Sequence, residues 1–182
     1  MTFATHWQAC PTPTAPKHLN ATFVRAETAT INTMFAPLQN DTFLRACLRE
    51  STAHTPVWLM RQAGRYLQCY KDVRAKGGGT FLDLCKDPAR AAEVTIQPID
   101  ILDADAAILF SDILTPIEPM GMALDFVPGP VFEKPIRTAA DVDALVVPED
   151  MSQAVSYVPA IIKRLRVAFE GRVPLIGFGG AP

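Results

Sequence analysis

The run Ala106-Ala-Ile-Leu-Phe110 sets the tightest limit on what this chain can fold into. It is apolar without a break and is bounded by Asp105 and by Ser111-Asp112. A half-exposed strand alternates apolar and polar side chains, whereas an unbroken run suits a strand buried on both faces, as in a parallel sheet covered by helices. Val173-Pro-Leu-Ile-Gly-Phe178 has a similar character, and Val57-Trp-Leu-Met60 reads as a first buried strand.

Helical signals separate these runs. A first helix begins near Asn40 or Asp41, either of which can cap it, and presents Phe43, Leu44, Cys47 and Leu48. A second crosses Arg65 to Arg74 and breaks at Gly77-Gly78-Gly79. That triplet lacks the lysine and spacing of a phosphate loop and reads as a flexible connector. Asp87-Pro88 opens a third helix through Ala91, Ala92, Val94 and Ile96, with a kink expected at Pro98. Met120 to Pro135 reads as a hairpin excursion around Pro128-Gly129-Pro130. Thr138 to Leu145 is a short helix, and Ser152 to Glu170 a longer one ended by Gly171. Pro159 either kinks that helix or sets its start. The order helix, strand, helix, strand, helix, strand predicts a parallel α/β architecture with its chemistry at the C-terminal ends of the strands. Arg61, Asp112 and Phe178 all fall near such ends.

Residues 1–33 read as a leader, rich in Thr and Pro and without periodicity. A disordered extension, a true start at Met34, or a weak organellar import signal all fit it. Net charge is -2, with 49% apolar and 20% charged residues, a soluble globular profile that excludes a nucleic-acid footprint. No apolar run approaches membrane-spanning length. The cysteines form no CxxC pair, and the histidines have no metal-ligand spacing, so neither a disulfide framework nor a metal site is expected. Reduced thiols fit a cytoplasmic setting.

Pro56-Val-Trp-Leu-Met-Arg-Gln-Ala-Gly-Arg-Tyr66 ends its apolar run in two guanidinium groups, Arg61 and Arg65. Arginines either pair with structural carboxylates, face solvent, or meet an anion. From Met60 to Lys76 the chain is basic (Arg61, Arg65, Lys71, Arg74 and Lys76 against Asp72) in an otherwise slightly acidic protein. That segregation favours an acidic small molecule as ligand. Asp112 is open to two readings, a cap following the strand or a site carboxylate.

Four stretches together resemble the uroporphyrinogen decarboxylase family. They are Pro56 to Tyr66, Val94-Thr-Ile-Gln-Pro98, Asp105-Ala-Ala-Ile-Leu-Phe-Ser-Asp-Ile-Leu114 and Pro174-Leu-Ile-Gly-Phe178. The resemblance runs from about residue 36 to the C-terminus. It implies the N-terminal portion of a (β/α)8 TIM barrel spanning residues 34–182, with about three strands. It also implies a homodimeric enzyme that removes the four acetate carboxyls of uroporphyrinogen III as CO2, giving coproporphyrinogen III without a metal or organic cofactor. On this resemblance Arg61 and Arg65 hold substrate carboxylates and Ala63 adds backbone contacts. Arg74 is a further basic position, Asp112 binds the pyrrole N–H groups, and Phe178 lines the cleft. Asp112 and Arg61 are then the catalytic candidates. The family usually has Pro-Glu where this chain has Gln68-Cys69, a change expected to touch stability rather than chemistry. With about three of eight strands, the chain reads as a fragment unable to turn over substrate alone. A related barrel methyltransferase and an inert tetrapyrrole-binding remnant are the competing readings.

Overall fold

The computed structural model describes residues 35–76 and 79–180. The leader expected over residues 1–33 lies outside this range, as do Gly77 and Gly78. Three short helices and one long one come first: α1 (Thr42–Cys47), α2 (Gln68–Ala75), α3 (Phe81–Lys86) and α4 (Pro88–Leu102), with α5 (Ala139–Asp143) and α6 (Met151–Ala154) later and α7 (Tyr157–Phe169) as the second long helix. The strands are β1 (Ala107–Ile108), β2 (Leu124–Phe126), β3 (Pro130–Phe132) and β4 (Leu175–Ile176).

The described part is mixed α/β. β1 and β4 pair in parallel, with Ala107 opposite Leu175 and Ile108 opposite Ile176. Ala107 N–H donates to the Pro174 carbonyl (2.9 Å) and Leu109 N–H to Ile176 (3.0 Å), so the ladder runs beyond the paired residues. β2 and β3 form the expected hairpin, with Phe126 opposite Pro130. Neither two-stranded sheet closes on itself.

Helix α4 follows its capping chemistry. Asp87 accepts from the N–H groups of Ala89 and Arg90 (2.9 and 3.1 Å), and Pro88 occupies the first turn, where its missing N–H costs nothing. The helix continues through Pro98 to Leu102. Its Ala91, Ala92 and Ile99 bury against Ile161, Leu165 and Phe169 of α7, over Ala104, Ala107 and Leu109. Burying a side chain such as Ile161 or Leu165 is worth about 1.5–3 kcal/mol. A second cluster joins Tyr70 and Val73 of α2 to Leu84 and Val94.

The long helix expected over Ser152 to Glu170 divides into α6 and α7. Pro159 stands in the first turn of α7, where no intrahelical N–H bond is required, so it sets the start rather than bending the interior. The helix already leaves right-handed geometry at Glu170 (φ 48), one residue before Gly171 (φ 80). The helix expected across Arg65 to Arg74 begins only at Gln68, and turns occupy the residues before it.

The largest correction concerns Val57 to Met60. It is neither a paired strand nor buried: Val57 is 57% exposed and Met60 73%. Val57 N–H donates to the Asp105 carboxylate (2.8 Å), and the Val57 carbonyl accepts from Asp105 N–H (2.9 Å). The apolar face expected on α1 is also only partly used. Phe43 meets Trp58 edge-on, with ring centroids 6.3 Å apart, while Leu44 and Leu48 are exposed.

Candidate functional site

Three polar side chains in the interior are Gln62, Thr95 and Asp105; Gln62 and Thr95 bond the backbone of β1 or the residues beside it, and Asp105 lies just ahead of the strand. Asp105 gathers separate segments. Its Oδ1 accepts from Asn40 Nδ2 (3.0 Å) and meets His54 Nε2 (2.9 Å), and its Oδ2 takes Val57 N–H. Burial opposes ionisation of this carboxyl, but the hydrogen bonds from Val57, Asn40 and His54 outweigh it and hold the pKa below its ordinary value. Thr95 Oγ1 donates to the Ala91 carbonyl (2.7 Å) and accepts from Phe110 N–H (3.1 Å).

Gln62 stands between Arg61 and Ala63 with only 1% of its surface exposed. In one orientation its amide accepts from Leu59 N–H and donates to the Ala106 carbonyl, each at 3.4 Å. In the other it donates to the Leu59 carbonyl and accepts from Ile108 N–H, each at 3.3 Å. Either way the amide joins the arginine loop to the edge of β1 that β4 leaves free. Tyr66 closes the loop by donating its hydroxyl to the Gln62 carbonyl.

Arg61 and Arg65, on either side of this anchor, are exposed and form no ion pair or hydrogen bond with the described residues. Ala63 is half-buried. Arg74, on α2, is half-buried and donates through Nε to the Gly79 carbonyl (3.3 Å). Asp112 follows β1. Its Oδ1 accepts from Leu114 N–H (2.8 Å), so it organises a turn, but no helix follows and Oδ2 has no partner among the described residues. Phe110, just ahead, is gripped by Tyr70 of α2 and Phe81 of α3, each 5.8 Å away between centroids.

Phe178 follows β4 and is 43% exposed. Because β1 and β4 run parallel, Asp112 and Phe178 leave the sheet from the same end, the C-terminal ends of the strands. The chain after β4 then passes beside the turn after Asp112: a Cβ on Gly180 would lie 4.0 Å from Ile113 Cβ. The structure therefore brings the Asp112 and Phe178 segments together. It ties Arg61, Ala63 and Arg65 to β1 through Gln62, and it links Arg74 to Phe110 through α2. None of the six candidates hydrogen-bonds another.

Cys85, on α3, feels Asp112. Burial first, and the Asp112 charge second, push its thiol up to about 12. Gln68 and Cys69, the two departures, open α2, and Gln68 Nε2 bonds Asp72 Oδ1 one turn on (2.8 Å). Gln68 is the first helical residue, where proline also fits. Among the described residues no group of three His, Cys, Asp or Glu side chains could hold a metal ion, and no helix is long and apolar enough to cross a membrane. The sequence reading passed over Gln62 and Asp105. The available signal was a polar residue on each side of an apolar run, which does not reveal which atoms it meets.

Residues 38–182 match the profile of uroporphyrinogen decarboxylase (URO-D). The chain belongs to the uroporphyrinogen decarboxylase family. It is 67% identical over 143 residues to the uroporphyrinogen decarboxylase of Geotalea daltonii, 66% to that of Geobacter sulfurreducens and 61% to that of Pelobacter propionicus. Each match covers 79% of this chain and 41% of the relative, so the chain spans well under half of the length of these uroporphyrinogen decarboxylases. Among solved structures, a methyltransferase from Methanosarcina mazei shares the fold, with TM-score 0.60 and 19% identity over 78% of this chain and 42% of that one.

Proposed function

We propose that residues 38–182 supply the carboxylate-gripping part of a uroporphyrinogen decarboxylase. The reaction takes uroporphyrinogen III to coproporphyrinogen III within a homodimeric (β/α)8 barrel, of which this chain spans the first units. The observation that carries this reading is the arginine loop. Two exposed guanidinium groups flank a wholly buried glutamine and pair with no described acid, which leaves their charge available to an anion. A family whose substrate is a polyanion calls for planar, permanently charged donors that can grip carboxylates in pairs.

The chemistry follows from the ring. Protonation of a pyrrole carbon makes the ring cationic, and the electron pair released as the acetate C–C bond breaks flows into that ring while CO2 leaves. A proton then takes the place of the lost carboxyl, and the proton first added to the ring carbon is released, which restores the neutral pyrrole. Asp112, with Oδ2 unengaged among the described residues, accepts pyrrole N–H groups and stabilises the cationic ring. Arg61 and Arg65 hold carboxylates, Ala63 contributes backbone beside them, Arg74 adds positive charge, and Phe178 offers an aromatic wall. The likeness to the methyltransferase, at 19% identity, carries the fold and no activity.

A graft tests the proposal. Residues 38–182 of this chain replace the matching part of the Geotalea daltonii enzyme, and coproporphyrinogen formation is measured. The graft is expected to be active, with Asp112→Asn lowering kcat by about 100-fold or more. A folded Asp112→Asn graft with unchanged kcat would overturn the role of Asp112, and a folded but inactive parent graft would overturn the proposal.

A further inference from the structure

The free edge of β1 shows how the arginine loop is held. β4 takes the N–H groups of Ala107 and Leu109 on one side. On the other side no strand pairs with β1 among the described residues. There the edge is met by Val57, through two bonds to Asp105, and by the side-chain amide of Gln62. A primary amide offers the same donor and acceptor as a peptide group, so Gln62 meets this edge with one bond, to the Ala106 carbonyl or from the Ile108 N–H, and ties it to Leu59 with the other. Burial of an unmet amide is costly, which confines Gln62 to this geometry. Since Arg61 precedes it directly and Tyr66 bonds its carbonyl, fixing Gln62 fixes the backbone from which both guanidinium groups project.

We infer that Gln62 is a positioning residue that makes Arg61 and Arg65 converge on one polycarboxylate, with Asp105 holding the entry to the same loop. This rests on the carboxylate-gripping reading of the two arginines and adds the device that aims them. An anion site assembled from long flexible side chains gains affinity only when their backbone is held, because each immobilised side chain otherwise sheds its entropy on binding.

The test uses the 182-residue chain and uroporphyrin I, a fluorescent octacarboxylate. The unsubstituted chain is expected to bind it, the Arg61→Gln, Arg65→Gln double variant to lose binding, and Gln62→Met, close in volume but without the amide, to bind about tenfold or more weakly. The thermal midpoint of the Gln62→Met chain and the salt dependence of its binding are read alongside. A positioning role predicts a shallower salt dependence with the fold retained, which lost packing alone would not produce. Tight, salt-sensitive binding by a folded Gln62→Met chain, with binding still lost in the arginine variant, would overturn the inference and leave the site standing. Binding that is absent, or indifferent to both arginines, would overturn the site and the inference together. Hydrogen exchange on the unsubstituted chain reads the anchor without any variant. The Leu59 and Ile108 amides are read together, because the Gln62 amide accepts from one of them in each orientation; one of the two is expected to be protected, and exchange at both as fast as at an open loop would overturn the inference even if Gln62→Met fails to fold.

Discussion

At the scale of single residues, Asp105 and Cys85 show burial acting in opposite directions. Asp105 keeps its charge in the interior because three donors converge on it. Its pKa is lowered on folding, so it contributes stability that is present above the unfolded value of about 4 and lost as pH falls through the folded value. Asp105→Asn should therefore cost about 1–3 kcal/mol at pH 7, by leaving donors facing an amide they cannot share, and the gap should narrow as pH is lowered below about 4. Urea denaturation of both chains at pH 7 and pH 3 measures this. Cys85 has no such partners, and burial with the Asp112 charge close by keeps its thiol protonated. In the folded chain Cys47, which is exposed, should alkylate readily at pH 8 while Cys85 reacts only on unfolding. Mass spectrometry of iodoacetamide-treated protein before and after denaturation checks the order.

At the scale of elements, the two long helices depend on how they start and stop. Asp87 caps α4 twice and pairs with Arg90 Nε (2.8 Å), so Asp87→Ala should cost about 1 kcal/mol. The end of α7 is tighter. Gly171 has φ 80, and a Cβ there would fall 2.0 Å from the Pro37 carbonyl oxygen, while its own carbonyl accepts from Gln39 N–H (2.7 Å). Gly171→Ala should cost about 1–3 kcal/mol by forcing the Pro37 segment away, whereas Gly129→Ala, with nothing within 4 Å, should be near neutral. Thermal unfolding of the three variants separates these expectations. The split between α6 and α7 has the same local origin, since Pro159 cannot supply an interior N–H.

At the scale of the whole molecule, exposure is the dominant feature. Val57, Leu59, Met60, Ile113 and Phe178 present apolar surface around the two loops that carry the candidate residues. Exposed apolar surface beside an open strand edge promotes association. The chain spans 41% of its relatives, and on the proposed reading the rest of the barrel encloses the substrate. The 182-residue chain alone is therefore expected to form no coproporphyrinogen and to scatter light increasingly with concentration. Release of coproporphyrinogen by the isolated chain would contradict this.

The sequence alone determined what depends on near neighbours. The α/β class, the cap at Asp87 and the hairpin around Gly129 were all legible, because caps, turns and apolar runs act over a few residues. The arginine loop was legible as a basic segment by its charge. Tertiary structure decided that the loop is fastened by a buried amide, that Val57 to Met60 lies open, and that Asp105 is a hub. Each depends on which backbone edge meets which side chain: the Gln62 contact spans 44 positions and the Val57 contact 48. A polar side chain becomes worth burying only once folding has brought its donor and acceptor within reach, and nothing local in the chain states where that will be.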